Sequence, residues 1–171
     1  IPGFQKITEQ VKATGTIILQ QLYHIGAHGD SDLSFQPHWS PSGAPSYHDS
    51  DGSHRMTEAE IETLIDAHVA AAIRCQKSGF QGVEVWAAYH SLLDQFWTPW
   101  SNSRDDKWGG TLENRTRMSR TIIEGIRRAC GEDFIIGLAI STSDAQPGLL
   151  QGAALIETVA RHDATGHVDY V

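Results

Sequence analysis

Cysteine is nearly absent: Cys75 and Cys130 are the only two in 171 residues. Two thiols cannot build a disulfide framework, and without a C-x-x-C spacing they do not match the iron–sulfur or zinc sites that use it, so both are expected as buried thiols. Basic side chains are also scarce, 13 Lys and Arg against 21 Asp and Glu, and the formal charge of −8 repels a phosphate backbone. Nucleic acid is therefore not an expected partner. Long apolar runs are missing, since residues 134–140 and 69–73 fall far short of the ~20 that a membrane span needs. No charged region followed by an apolar one opens the chain, and the expectation is a soluble, cytoplasmic protein with no membrane partner. No G-x-G-x-x-G or G-x-x-x-x-G-K follows an expected strand, which leaves out the dinucleotide and P-loop fingerprints.

What is present is ordinary globular composition, 40% hydrophobic and 20% charged, in a length that suits one domain or a piece of one. Residues 16–22 (TIILQQL), 82–87 (GVEVWA) and 134–140 (FIIGLAI) are short β-branched and apolar runs bounded by turn residues. They read as strands covered on both faces, and 167–171 begins a fourth. Helical patterns lie between them. Thr57 and Glu60 form a capping box ahead of Ile61, Leu64, Ile65, His68, Ala72 and Cys75 at helical spacing, with Gly79 placed to end the helix. A second helix is expected from Leu112 to Gly131 with Met118, Ile122, Ile123 and Ile126 on one face. A third, over 149–161, carries Leu155, Ile156 and Val159. Strands alternating with helices call for parallel, sequential β-α units with right-handed crossovers, in a doubly wound sheet or a (β/α)₈ barrel. Four strands cannot close a barrel, which needs about 250 residues. The long connection 26–56 follows the C-terminal end of a strand, where α/β barrels carry their sites.

Two candidate metal patterns fail on their spacing. Asp49, Asp51, Ser53 and Glu60 fall at calcium-loop positions, but His54 stands where the loop needs glycine and no helix leads in. His24, His28, His38, His48 and His54 have no Cys or carboxylate at a tight spacing and read as polar loop histidines, so no metal is expected. Asn114-Arg-Thr116 matches a glycosylation sequon, which carries no meaning without an export signal.

The informative stretch is Gly79-Phe-Gln-Gly-Val-Glu-Val-Trp-Ala-Ala-Tyr-His-Ser-Leu-Leu-Asp-Gln-Phe96, followed by Ser101-Asn-Ser-Arg104, Trp108-Gly-Gly110 and Leu112-Glu-Asn-Arg115. It closely resembles the signature of the Old Yellow Enzyme family of FMN oxidoreductases, G-F-D-G-V-E-I-H-x-A-H-G-Y-L-L-D-Q-F, then S-N-x-R, Y-G-G and L-E-N-R. Gln21-Leu-Tyr-His-Ile-Gly26 is similar to the family's Q-L-x-H-x-G strand end, and Ile1-Pro-Gly to its I-P-G. The resemblance implies an α/β fold, a partial (β/α)₈ TIM barrel holding about strands 3 to 6, with residues 1–171 the central part of one FMN-binding domain, incomplete at both ends. It implies FMN as cofactor, NAD(P)H as a candidate electron partner, and an iron–sulfur cluster only where a longer parent supplies one. With strands missing on both sides, an oligomer or a complementary barrel chain is expected to cover the exposed edges.

The resemblance places Gln21 at the pyrimidine edge of the flavin, where a side-chain amide offers both a donor and an acceptor. The alternative is a strand-end amide satisfied by backbone. The paired histidine positions that bind a substrate carbonyl are Trp86 and Tyr89 here, the proton-donating tyrosine is Ser91, and the arginine facing the flavin is Ala139. These departures lead away from ene-reduction. An indole face attracts cations, and the amine-oxidising branch, trimethylamine dehydrogenase and similar N-demethylases, carries an aromatic residue at the first position and a G-A-H matched by Gly26-Ala-His28. The expected function is FMN-dependent oxidation of an N-methylated amine or amino acid by hydride transfer. Trp86 and Tyr89 would be the catalytic pair and Trp86, Tyr89 and His28 the substrate contacts; Trp86 and Tyr89 also have a plain reading as strand-end packing. A Tyr89 hydroxyl would accept a proton only if its pKa fell from ~10. The alternatives are an enoate or enone reductase of the same family, and a non-catalytic barrel half that needs a partner chain. Retention of Gln21, Arg104 and the glycine motifs argues against the last.

Overall fold

The computed structural model describes residues 1–29, 35–45, 52–142 and 150–171. Its elements are α1 (Pro2–Lys12), β1 (Leu19–Leu22), β2 (Trp39–Ser40), β3 (His54–Arg55), α2 (Glu58–Lys77), β4 (Gly82–Ala87), α3 (Leu92–Trp97), α4 (Leu112–Arg115), α5 (Arg117–Cys130), β5 (Ile135–Ile140) and α6 (Gly152–Asp163). β1, β4 and β5 form one parallel sheet in sequential order, and β2 and β3 form a separate two-stranded pair inside the long connection.

Local chemistry explains the best-read helix. The Glu60 carboxylate accepts from the Thr57 backbone N–H at 2.7 Å while the Thr57 hydroxyl accepts from the Glu60 N–H at 3.3 Å, closing the capping box at the head of α2. Ile61, Leu64, Ile65, His68 and Ala72 are buried along one face, as their spacing predicts. Gly79 ends the turn at φ +88°, and a Cβ there would stand 2.6 Å from the Thr8 hydroxyl. That hydroxyl donates to the Ser78 carbonyl at 2.7 Å and docks α1 on the end of α2.

The core lies on one face of the sheet. Val83, Val85, Ala87, Ile136 and Leu138 point into it, against Ile61 and Leu64 of α2 and Met118, Ile122, Ile123 and Ile126 of α5. The opposite face, which would line a barrel's interior, carries Gln21, Glu84, Trp86, Gly137 and Ala139. Here several expectations are corrected. β1 begins at Leu19, not Thr16, and is covered on one face only: Gln21 is exposed because the strand is a sheet edge whose other face lines the open interior. The fourth strand reduces to a single bridge between Gly137 and Tyr170, since the Ile136 N–H goes to the Asp169 carboxylate at 2.7 Å instead of continuing a ladder. The helix expected from Leu112 to Gly131 is broken at Thr116, whose hydroxyl donates back to the Leu112 carbonyl and bends the chain. α6 starts at Gly152 and buries Leu155, Thr158 and His162, leaving Ile156 70% exposed. Residue 149, where that helix was expected to begin, lies outside the described residues. Cys75 and Cys130 are half-buried, not buried.

Candidate active site

The parallel register builds the interior face in rungs. Gln21, Glu84 and Gly137 are direct register partners on β1, β4 and β5, and Tyr170 bridges to Gly137. The Gln21 amide nitrogen donates to Glu84 Oε1 at 2.7 Å, and the Tyr170 hydroxyl donates to Glu84 Oε2 at 3.1 Å. Gly137 is required for this crossing, because a Cβ would lie 2.2 Å from Tyr170 Cζ. Burial and then the Glu84 hydrogen bond push the Tyr170 phenol up to about 12. The plain reading of Gln21, an amide satisfied by backbone, is thus replaced by a side-chain pair.

One rung toward the C-terminal end, the Trp86 indole meets two phenols. Tyr23 stands edge-on to it, with ring centroids 6.2 Å apart and planes at 86°, and Tyr89 lies at 5.8 Å with planes at 32°. Ala139 is the register partner of Trp86. Trp86 is half-buried, while Tyr23 and Tyr89 are 53% and 70% exposed. Gln21, Trp86 and Tyr89 therefore share one mouth, with Trp86 and Tyr89 in contact and Gln21 one rung below.

Tyr89 and His90 sit at φ +52° and +56°, two consecutive left-handed residues where each costs on the order of 1–3 kcal/mol. The turn is held from all sides. The Tyr89 N–H donates to the Ser141 hydroxyl at 2.8 Å, the His90 N–H to Asp94 Oδ2 at 2.9 Å, and the Gln95 amide to the His90 carbonyl at 2.7 Å. Burial raises the Asp94 carboxyl to about 6. Gln95 also accepts from the Ala27 N–H at 3.1 Å, and Gly26, at φ +69°, leaves the space that a Cβ would contest at 2.4 Å from Gln95 Oε1. The Asp-Gln of the signature thus clamps the ends of β1 and β4 together.

His28, expected at the substrate, has its Nε2 2.8 Å from His90 Nδ1, and His90 Nε2 lies 3.1 Å from the Ser101 hydroxyl. Ser101 donates to the Gln95 carbonyl, so it accepts from His90 Nε2–H, and His90 in turn accepts from His28. Burial, and then His28, hold His90 down to about 4. Ser91 is buried, with its hydroxyl turned back to the Trp86 carbonyl at 3.4 Å. His24 is no free loop histidine: it stacks on Trp39 and accepts from the Gly26 N–H at 3.1 Å. His48, Asp49 and Asp51 lie outside the described residues, and Glu60 is taken by its cap and by His54 Nε2 at 2.9 Å.

The rest of the signature is scaffold. Asn102 donates to the Phe96 and Trp108 carbonyls, and the buried Arg104 guanidinium donates to the Pro41 and Met56 carbonyls and to Asp106. A Cβ on Gly109 would stand 2.3 Å from the Arg104 carbonyl oxygen. Arg115 donates to the Trp97 and Gly110 carbonyls. The residues that sequence reasoning missed are Glu84, Tyr23, Tyr170 and His90. Period-two alternation was a usable signal for two of them, since Glu84 precedes Trp86 by two and Tyr23 follows Gln21 by two. Nothing in the sequence pairs Tyr170 with Glu84.

The sequence pattern of the NADH:flavin oxidoreductase / NADH oxidase family matches residues 1–165. The chain is 35% identical over 176 residues to N,N-dimethylglycine/sarcosine dehydrogenase of Chromohalobacter salexigens, covering 99% of this chain and 25% of that protein. It is 32% identical over 176 residues to the probable N-methylproline demethylase of Rhizobium meliloti, covering 100% of this chain and 25% of that one. Among solved structures, 2-naphthoyl-CoA reductase in complex with 2-naphthoyl-CoA superposes with a TM-score of 0.88 at 30% identity, over 99% of this chain and 27% of that chain. The chain spans about a quarter of the length of these proteins. A parallel sheet with its signature loops in the places the resemblance implies, together with a family match over nearly every residue, establishes that the chain belongs to the NADH:flavin oxidoreductase / NADH oxidase family.

Proposed function

We propose that this chain forms the substrate side of an FMN-dependent oxidoreductase that demethylates an N-methylated amine or amino acid. The observation that carries the reading is the wall of Tyr23, Trp86 and Tyr89 where a carbonyl-binding pair of imidazoles would otherwise stand. The residues present fit the flavin: Gln21 has its nitrogen engaged by Glu84 and its oxygen without a hydrogen-bond partner among the described residues, and flat aromatic faces lie one rung above, a set suited to a planar heterocycle with a polar edge. FMN, when bound, supplies the hydride acceptor.

The chain's own residues do the rest. The π-faces of Trp86 and of the two neighbouring phenols present negative potential to a methylated nitrogen. When a hydride leaves the methyl group the nitrogen becomes an iminium cation, so the rings oppose a charge that grows during the reaction and bind the transition state more tightly than a neutral amine. Gln21 holds the pyrimidine edge one rung below. Ile17 and Tyr23 are exposed on either side of β1, whose open edge is where a further strand or a complementary chain would pair.

A second reading, supported by the similarity to a reductase, 2-naphthoyl-CoA reductase, is an enoate or enone reductase of the same family with NAD(P)H as electron source and the exposed Tyr89 hydroxyl as proton donor. Calorimetric titration separates the two. Trp86→Ala is expected to weaken binding of N,N-dimethylglycine by ~1–2 kcal/mol while leaving cyclohexenone unchanged, and Trp86→Phe to keep part of the amine affinity. Equal losses for both ligands would reduce Trp86 to a packing residue and overturn the amine reading. A chain that is colourless as purified and retains no yellow flavin after incubation with FMN and removal of the free FMN by gel filtration would leave the non-catalytic barrel half.

A further inference from the structure

We propose that Glu84 is a positioning residue that fixes the Gln21 side-chain amide with its oxygen toward the ligand, so that the site accepts a hydrogen bond from an imide N–H of the flavin; this rests on the flavin reading above. A glutamine amide can turn by half a rotation and exchange its donor for its acceptor at almost no cost. A carboxylate removes that freedom, because it can only accept. Glu84 Oε1 takes the Gln21 nitrogen at 2.7 Å, and Gln21 Oε1 has no hydrogen-bond partner among the described residues. Glu84 is itself prevented from turning away, because its second oxygen accepts from the Tyr170 hydroxyl at 3.1 Å across the gap that Gly137 leaves open. Three adjacent strands and the last segment of the chain thus spend one rung of the interior on the orientation of one amide.

The pyrimidine edge of an isoalloxazine presents two carbonyls with a single N–H between them. A fixed acceptor selects that N–H, whereas a freely turning amide would serve either kind of atom. The prediction is therefore one of discrimination as well as affinity. FMN and FMN methylated at N3 are titrated by fluorescence into the unchanged chain, Glu84→Ala and Glu84→Gln, with circular dichroism as the check on folding. The unchanged chain is expected to prefer FMN. Glu84→Ala is expected to bind FMN about three- to tenfold more weakly, the scale of re-immobilising one side chain, and to lose the preference between the two flavins. Glu84→Gln keeps an acceptor that can hold Gln21 but can also offer it an N–H, and is expected to fall between; if Glu84→Ala does not fold, this variant carries the test alone. A variant retaining both the affinity and the preference overturns the role of Glu84. An unchanged chain that binds both flavins equally overturns it too while leaving the flavin reading intact. An unchanged chain that binds neither overturns both.

Discussion

Arg104 is 5% exposed, and its guanidinium ties its own loop, through the Asp106 carboxylate at 2.6 Å, to the Pro41 and Met56 carbonyls. Arg104→Met keeps the aliphatic bulk but leaves two carbonyls and a half-exposed carboxylate without their donor. It is expected to cost about 2–4 kcal/mol, read from urea midpoints, with flavin affinity falling only as far as folding does. A cost under ~1 kcal/mol would mean that water replaces the guanidinium and that the loop is not held by it. The case also shows what a motif conveys. Asn102, Arg104 and Gly109 were legible as signature residues, yet a motif records which residues recur and not whether they touch a ligand or a carbonyl. Their retention therefore says nothing against a non-catalytic barrel half; among the retained residues once set against it, Gln21 is the one that faces the interior. His90 was invisible for a related reason. The signature has glycine there, a residue chosen for positive φ, and only the fold shows that a histidine can hold that backbone once Asp94 and Gln95 grip it from both sides.

At the scale of elements, legibility followed locality. The head of α2 was readable because the capping box closes within four residues and the buried stripe repeats every turn. The break between α4 and α5 was hidden in the single hydroxyl of Thr116, and the face of α6 was hidden by a polar core. The His162 imidazole donates from Nδ1 to the Thr158 carbonyl and accepts at Nε2 from Ser119, which also accepts from the Trp97 indole N–H at 2.9 Å. A histidine satisfied in this way can be fully buried, so the helix turns Thr158 and His162 inward and leaves Ile156 outside. Two substitutions of the same chemistry separate the faces. Ile122→Ala, in a position with no exposed surface on α5, is expected to cost ~2–5 kcal/mol. Ile156→Ala is expected to stay within about 0.5 kcal/mol. Thermal unfolding of both variants checks the pair, and a large loss at Ile156 would show that a partner covers it.

The whole molecule couples this burial to pH. The parallel, sequential sheet was legible from alternating strands and helices, but which imidazoles it would swallow was not, because burial depends on how loops far apart in sequence fold over them. Burial holds His24, His90 and His162 down to about 4, and His68 is lowered for the same reason. Unfolded, each takes a proton near 6.5. Between those values the unfolded chain binds more protons than the folded one, so stability is complete above about 6.5 and drains away as pH falls toward 4. Asp94 works in the opposite sense. Its carboxyl is raised to about 6 from an ordinary value of 3.8, so the folded state holds a proton that the unfolded state releases, and it returns some stability over the lower part of the same window. With four imidazoles against one carboxyl, the melting temperature is expected to be flat above pH 7 and to fall steadily from 6.5 to 4.5. Replacing His162 with Gln, which keeps a donor and an acceptor and cannot take the proton, should make that fall shallower even where it lowers the plateau. A slope unchanged by His162→Gln would assign the acid sensitivity to the other three.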